Sequence, residues 1–185
     1  MAITFIVNLS LFYTTMKVII YNAISIDGYI ARTNSKTDWV SETDWNQFKK
    51  LVKTSKAIVM GSNTYKQSGD DFPYDCELNV VMTSQKELLK QNENKGIIFT
   101  NKNPKEVIKI VKNMGFKQLL IIGVGKLNAS FLKKNLVDEL IVDIHPIILG
   151  SGIKLFDANS LDVWLKKVES HNLEEGLLCV KYSLS

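Results

Sequence analysis

The groups best suited to holding and transforming a ligand stand at the ends of short apolar runs. Leu119 to Ile122 passes into Gly123-Val124-Gly125 and then into a helical segment for which Asn128 is the expected N-cap, with Phe131 and Leu132 as apolar positions. Strand, glycine turn and helix start leave bare backbone amides facing outward, a setting that suits a phosphate. Glycine there lets backbone approach a pyrophosphate. Alone, the same spacing also describes a tight turn that binds nothing. Three further strand exits carry glycine or hydroxyl groups: Asp27-Gly28, Gly61-Ser62-Asn63-Thr64 and Thr83-Ser84. Ligands of parallel sheets collect beyond the carboxyl ends of the strands, so four such exits argue for one binding rim.

The elements that must position these groups follow from periodicity and punctuation. Strands are expected at Lys17 to Ser25, Ala57 to Met60, Leu78 to Met82, Gly96 to Thr100, Leu119 to Ile122 and Glu139 to Ile144. Ser41-Glu42-Thr43-Asp44 has capping-box spacing and opens a helix whose apolar face is Trp45, Phe48, Leu51 and Val52. Asn103-Pro104 starts another helix, with Val107, Ile108, Val111 and Met114 inward and Gly115 closing it. Val163 to Ser170 and Leu177 to Leu184, joined at Glu174-Glu175-Gly176, read as an antiparallel hairpin. The expected class is α/β: a three-layer αβα sandwich on a mixed, mostly parallel sheet with a C-terminal antiparallel hairpin.

With 185 residues the chain fits one domain, and its 45% hydrophobic and 23% charged residues are ordinary for a soluble globular protein. The net charge of +4 comes from scattered lysines and one arginine, Arg32, without a basic block interleaved with aromatics. Nucleic-acid binding is therefore not expected. Residues 1–15 are apolar but too short and too interrupted to span a bilayer, and they lack a signal-peptide pattern. They read as a dispensable extension ahead of a single domain over 16–185, with Met16 as an alternative start. Two distant cysteines, Cys76 and Cys179, read as reduced thiols of a cytoplasmic protein, and two histidines give no metal constellation.

From Met16 onward the pattern resembles the dihydrofolate reductase superfamily, in particular the C-terminal reductase domain of the bifunctional riboflavin-biosynthesis deaminase/reductase. The resemblance is carried by Leu127-Asn128, Phe131-Leu132, Leu136 to Leu140, Pro146 and Leu149-Gly150, and by Ser25 to Ala31, Gly61-x-x-Thr64 and Met82 to Gln85. It implies a dihydrofolate-reductase-like fold, NADPH as cofactor and a homodimer. The implied reaction is hydride transfer to a heterocycle like 5-amino-6-(5-phosphoribosylamino)uracil. On that footing Gly61, Thr64, Thr83, Ser84, Gly123, Val124, Gly125, Lys126 and Leu127 would contact the cofactor. Asp44 matches the carboxylate with which folate enzymes grip a pterin and assist its protonation, and Asp27 would face the substrate. Asp44 and Asp27 are thus the expected catalytic pair, with Trp45 and Phe48 walling the ring.

Each residue also has a plainer reading: Asp27 as an Asp-Gly turn, Asp44 as a helix cap, Trp45 and Phe48 as core, His145 as structural. The chain also departs from the family. Val124 stands between glycines where relatives often pair two glycines. Ser62 replaces the usual arginine of folate enzymes, which leaves NADH open. Tyr29 and Ile122 replace the basic residue and glutamate of the riboflavin enzymes. A true dihydrofolate reductase and a catalytically silent nucleotide-binding module are the competing expectations.

Overall fold

The computed structural model describes residues 16–91 and 95–184, so the expected extension over 1–15 lies outside the described residues. The chain runs β1 (Lys17–Ser25), β2 (Tyr29–Ala31), α1 (Glu42–Ser55), β3 (Ala57–Gly61), α2 (Ser62–Ser68), β4 (Leu78–Met82), α3 (Lys86–Leu89) and β5 (Ile97–Thr100). It continues through α4 (Pro104–Asn113), β6 (Gln118–Ile121), α5 (Gly125–Leu132), β7 (Glu139–His145), β8 (Ile153–Lys154), β9 (Leu165–Asn172) and β10 (Leu178–Leu184). Eight strands form one sheet in the order β5-β4-β3-β6-β1-β7-β10-β9, and β2 pairs with β8 as a separate ribbon. The pairs from β5 through β7 are parallel; β10 runs antiparallel to both β7 and β9.

The apolar strands are unbroken because both sheet faces are covered. On one face Val18 and Ile20 of β1 join Val59, Val80, Leu119 and Ile121 beneath Val107 and Val111 of α4 and Phe131 and Leu132 of α5. On the other, Ile19 and Tyr21 join Ile58, Met60, Val81 and Leu120 beneath Phe48 and Val52 of α1. Each such side chain stabilises the fold by roughly 1.5–3 kcal/mol when fully buried. The result is the expected three-layer sandwich.

Local chemistry sets the helix starts. Asn103 and Glu106 form a reciprocal capping box at α4, behind Pro104 at its first turn. At α1 only half the box forms. Ser41 Oγ accepts from Asp44 N at 3.2 Å, but the Asp44 side chain turns into the protein instead of back to the Ser41 amide. That amide donates to His145 Nε2 at 3.3 Å.

One expected boundary is corrected. α5 starts at Gly125 with Val124 as its N-cap, not at Asn128. Asn128 is buried inside the helix, where its side-chain amide donates to Asn22 Oδ1 at 3.0 Å and to the Leu155 carbonyl at 3.1 Å. It ties α5 to β1 and to the segment after β8. The helices α2 and α3 and the two-residue strand β8 are too short to show a period, and the sequence gives no sign of them.

Candidate active site

β3 and β6 are neighbours in the sheet, with Val59 opposite Ile121, so the helices that follow them, α2 and α5, begin side by side at the carboxyl edge. The leading amides of α5, those of Gly125 and Lys126, precede its first bonds, in which Leu127 N and Asn128 N donate to Val124 O. No acidic residue stands in that first turn. In front of the two helix starts lies a cleft of about 710 Å³ bordered by Gly61, Ser62, Val124, Gly125, Lys126 and Leu127, among others. A smaller cavity of about 190 Å³ adjoins it, walled by Tyr21, Asp44, Trp45, Phe48, Thr64 and Gly123. Gln67 and Val124 border both, so the two are compartments of one cleft. The loop between β2 and α1 also borders both, through Ser35 on one side and Thr37 and Val40 on the other.

The glycines turn out to have different jobs. A Cβ on Gly125 would lie 2.7 Å from the Lys154 carbonyl and 2.8 Å from the Asp157 backbone, and one on Gly123 would meet the Leu127 side chain. Both are glycine because the chain itself packs there, which corrects the reading that they make room for a pyrophosphate. Gly61 is the opposite case. Nothing lies within 4 Å of where its Cβ would be, and it borders the larger compartment.

Thr64 Oγ1 is buried against the smaller compartment without a hydrogen-bond partner among the described residues, an orphan that a ligand would satisfy. Residues at two helix starts, an unpartnered hydroxyl and a two-compartment cleft fit a dinucleotide lying across to a small ring. Lys126, Lys154 and Asp157 are the charged side chains along the larger compartment. Arg32 does not border it, and its Nε is paired with Asp38 at 2.7 Å.

Three of the expected site residues border neither compartment. Asp27 is a loop staple. Its Oδ1 accepts from Ser25 Oγ at 2.7 Å and from Leu149 N at 3.1 Å, and its Oδ2 from Gly150 N at 2.7 Å. Those bonds hold its carboxyl below the usual aspartate range. Thr83 Oγ1 accepts from Gln85 N at 3.1 Å, the local capping common for threonine, and Ser84 stands beside it. β4 reaches the cleft through Met82 instead.

Asp44 does reach the cleft. It is 2% exposed, and burial, with the neighbouring Asp143 charge adding to it and a hydrogen bond from Tyr21 opposing it, pushes its carboxyl up to about 7. A carboxyl so raised exchanges its proton around neutrality, which suits a proton donor. Behind it stand groups that motif and spacing did not single out. The Tyr21 hydroxyl lies 2.7 Å from Asp44 Oδ1 and 2.9 Å from Asp143 Oδ2, and Gln47 Nε2 donates to Asp143 Oδ2 at 2.7 Å. The available signal was an aspartate in the middle of the apolar run Glu139 to His145.

His145 Nε2 faces Asp44 Oδ2 at 3.5 Å, but the two are not an ion pair. Nε2 accepts the Ser41 amide and Nδ1 lies 3.2 Å from the Asp143 carbonyl, so the network assigns a neutral imidazole protonated at Nδ1. Burial lowers its basicity, in agreement. The structural role expected for His145 matches this geometry. Trp45 and Phe48 stack at 5.1 Å and 27°, forming both a wall of the small compartment and part of the core.

Comparison with known proteins agrees with this architecture. The chain is 28% identical to the uncharacterized protein YwjB of Bacillus subtilis, over 76% of this chain and 82% of that one. It is 32% identical to the riboflavin biosynthesis protein RibD of Aquifex aeolicus over 84% of its own length, but spans only 54% of that protein. Among solved structures, a putative riboflavin biosynthesis protein from Shewanella sp. PV-4 superposes with a TM-score of 0.77 at 27% identity, covering 92% of this chain and 99% of the other. Among the described residues no helix is long and apolar enough to cross a membrane. The model of the RibD C-terminal domain matches residues 16–179, and with its dihydrofolate-reductase-like fold the chain belongs to that family.

Proposed function

We propose that this protein is an NAD(P)H-dependent reductase of a small flat heterocycle, of the ribosylaminopyrimidine type. The observation that carries the reading is a buried Asp44, its carboxyl pushed up to about 7 by that burial, heading a ring-sized compartment that opens, past Val124, into a larger one faced by two helix starts. When bound, a reduced nicotinamide supplies the hydride. Gly125 and Lys126 amides would hold the phosphates, and Thr64 would satisfy its hydroxyl on the bound molecule. Trp45 and Phe48 orient the ring by stacking. Asp44 gives a proton to the ring atom beside the carbon that is reduced, and a ring seated between these walls would displace water from the small compartment.

The test is a titration of tryptophan fluorescence with NADPH and with NADH, since Trp45 lines the small compartment. Saturable quenching by at least one is expected, followed by oxidation of that cofactor on adding 5-amino-6-(5-phosphoribosylamino)uracil. No quenching by either at millimolar concentration ends the proposal; turnover of dihydrofolate alone moves it to a folate reductase.

A homodimer belongs to the same proposal. β9 is an edge strand exposed at all eight positions, flanked by Trp164 at 84% exposure, and such an edge invites pairing. Sedimentation should give twice the 20.9 kDa chain mass, and Val168→Lys should return it to one.

A further inference from the structure

Asp44 is only 2% exposed, yet each turnover would consume its proton. The hydrogen-bond pattern behind it shows where a replacement can come from. A phenol carries one proton, but the Tyr21 hydroxyl lies within bonding distance of two carboxyl oxygens, at 2.7 and 2.9 Å. It can donate to one only if the other donates to it. Asp143 Oδ2 already accepts from Gln47 Nε2, so while Asp44 holds its proton the hydroxyl donates to Asp143, and once Asp44 has lost it the hydroxyl turns to donate to Asp44 Oδ1. The hydroxyl can therefore pass a proton between the two carboxyls.

This chain of bonds also leads somewhere. Gln47, at its far end, and Cys179, opposite Asp143 in the β7–β10 pairing, border a separate open groove of about 380 Å³. Glu169, His171 and Lys181 stand at that groove as its titratable rim. His145 offers no competing path, because both its nitrogens are engaged and the ring is neutral. Tyr21 stays a phenol, since burial and the two carboxyls push its ionisation far above the usual range.

We infer that Tyr21 and Asp143 form a proton-relay line that reloads Asp44 from the groove beneath α1 and the β9–β10 hairpin, independently of the cleft mouth. Resting on the reductase reading, the step balances as follows. The Asp44 O–H bond breaks as the substrate atom gains the proton, and Asp44 Oδ1 takes the Tyr21 hydroxyl proton. Tyr21 takes one back from Asp143, which is recharged past Cys179 and Gln47 by a hydronium ion of the groove, leaving water. One proton moves from groove to substrate, with no change of oxidation state along the line. Tyr21 and Asp143 act through Asp44 and are positioning residues. The groups facing Asp44 are Tyr21 from β1, Asp143 and His145 from β7, Ser41 and Gln47 around the start of α1, and beyond them Cys179 and Glu175.

The experiment compares the natural chain with Asp143→Asn and Tyr21→Phe. Steady-state turnover of 5-amino-6-(5-phosphoribosylamino)uracil and of dihydrofolate is followed from pH 5 to 9, and carbon-13 NMR of aspartate carboxyls reads the Asp44 titration without activity. Each variant should lose about tenfold or more in kcat, with KM unchanged in Asp143→Asn, whose residue borders neither compartment. The Asp44 titration should move down in Asp143→Asn, which removes a neighbouring charge, and up in Tyr21→Phe, which removes a donor to the ionised form. A natural chain that turns over while both variants keep its kcat and pH profile overturns the relay. If the natural chain turns over neither heterocycle, the reductase reading fails by itself; the NMR then decides the line, an unmoved Asp44 titration in both folded variants refuting it.

Discussion

Asp44→Asn should abolish reduction and at the same time raise the melting temperature above neutral pH. The loss should be at least a hundredfold in kcat, the usual span of a general acid. The gain follows from linkage. Burial raises the Asp44 carboxyl from its ordinary value of 3.8 to about 7 in the fold. Its contribution to stability is complete below the unfolded value and is lost as pH rises through the folded one. Between those values the natural chain pays increasingly for a buried proton acceptor, whereas Asn stays neutral at every pH. At pH 8 the difference should reach on the order of 2–4 kcal/mol, which is about 5–10 °C for a domain of this size. At pH 4 the two melting curves should nearly coincide. Calorimetry at both pH values checks this; equal stability at pH 8 would mean that the Asp44 carboxyl ionises in the fold at its ordinary value and is not the acid.

Gly61→Val should remove nucleotide binding and leave the fold intact. Its backbone, at φ −90° and ψ 165°, is extended and suits valine, and no atom lies within 4 Å of the new Cβ. The added methyls would project beside the larger compartment, ahead of α2, where a dinucleotide would press against backbone. The dissociation constant for NADPH or NADH should rise at least tenfold while the melting temperature stays within about 2 °C. Gly125→Ala is the informative contrast. Its Cβ would sit 2.7 Å from a backbone carbonyl that cannot step aside cheaply, so it should lower stability and binding together. If Gly61→Val binds as the natural chain does, the dinucleotide does not lie along this edge.

Much of the frame was legible because local signals agree with the global fold. β1 and β4 fall at the bounds read from their apolar runs, and Ser41 and Asn103 cap the helices expected behind them. The rim was legible for the same reason, since glycine and hydroxyl residues follow those runs directly. Which of them face the cleft was not. Asp27 looked like a substrate contact, but two amides 122 and 123 residues away claim its carboxylate. Thr83 was claimed by its own loop. The start of α5 was misplaced because Asn128 is a good cap by type, while burial gave it partners from β1 and residue 155.

Sequence by itself thus determined the succession of strands and helices, the parallel arrangement and the edge at which glycine and hydroxyl residues collect, because propensity and periodicity act over a few residues. Tertiary structure alone decided the chemistry at that edge. Tyr21, Asp44 and Asp143 meet because β1 pairs with β7 in a register that sets Ala23 against Asp143, and α1 lays its first turn over both. No local preference specifies that register, and only the burial that follows from it turns an ordinary aspartate into an acid that holds its proton near pH 7.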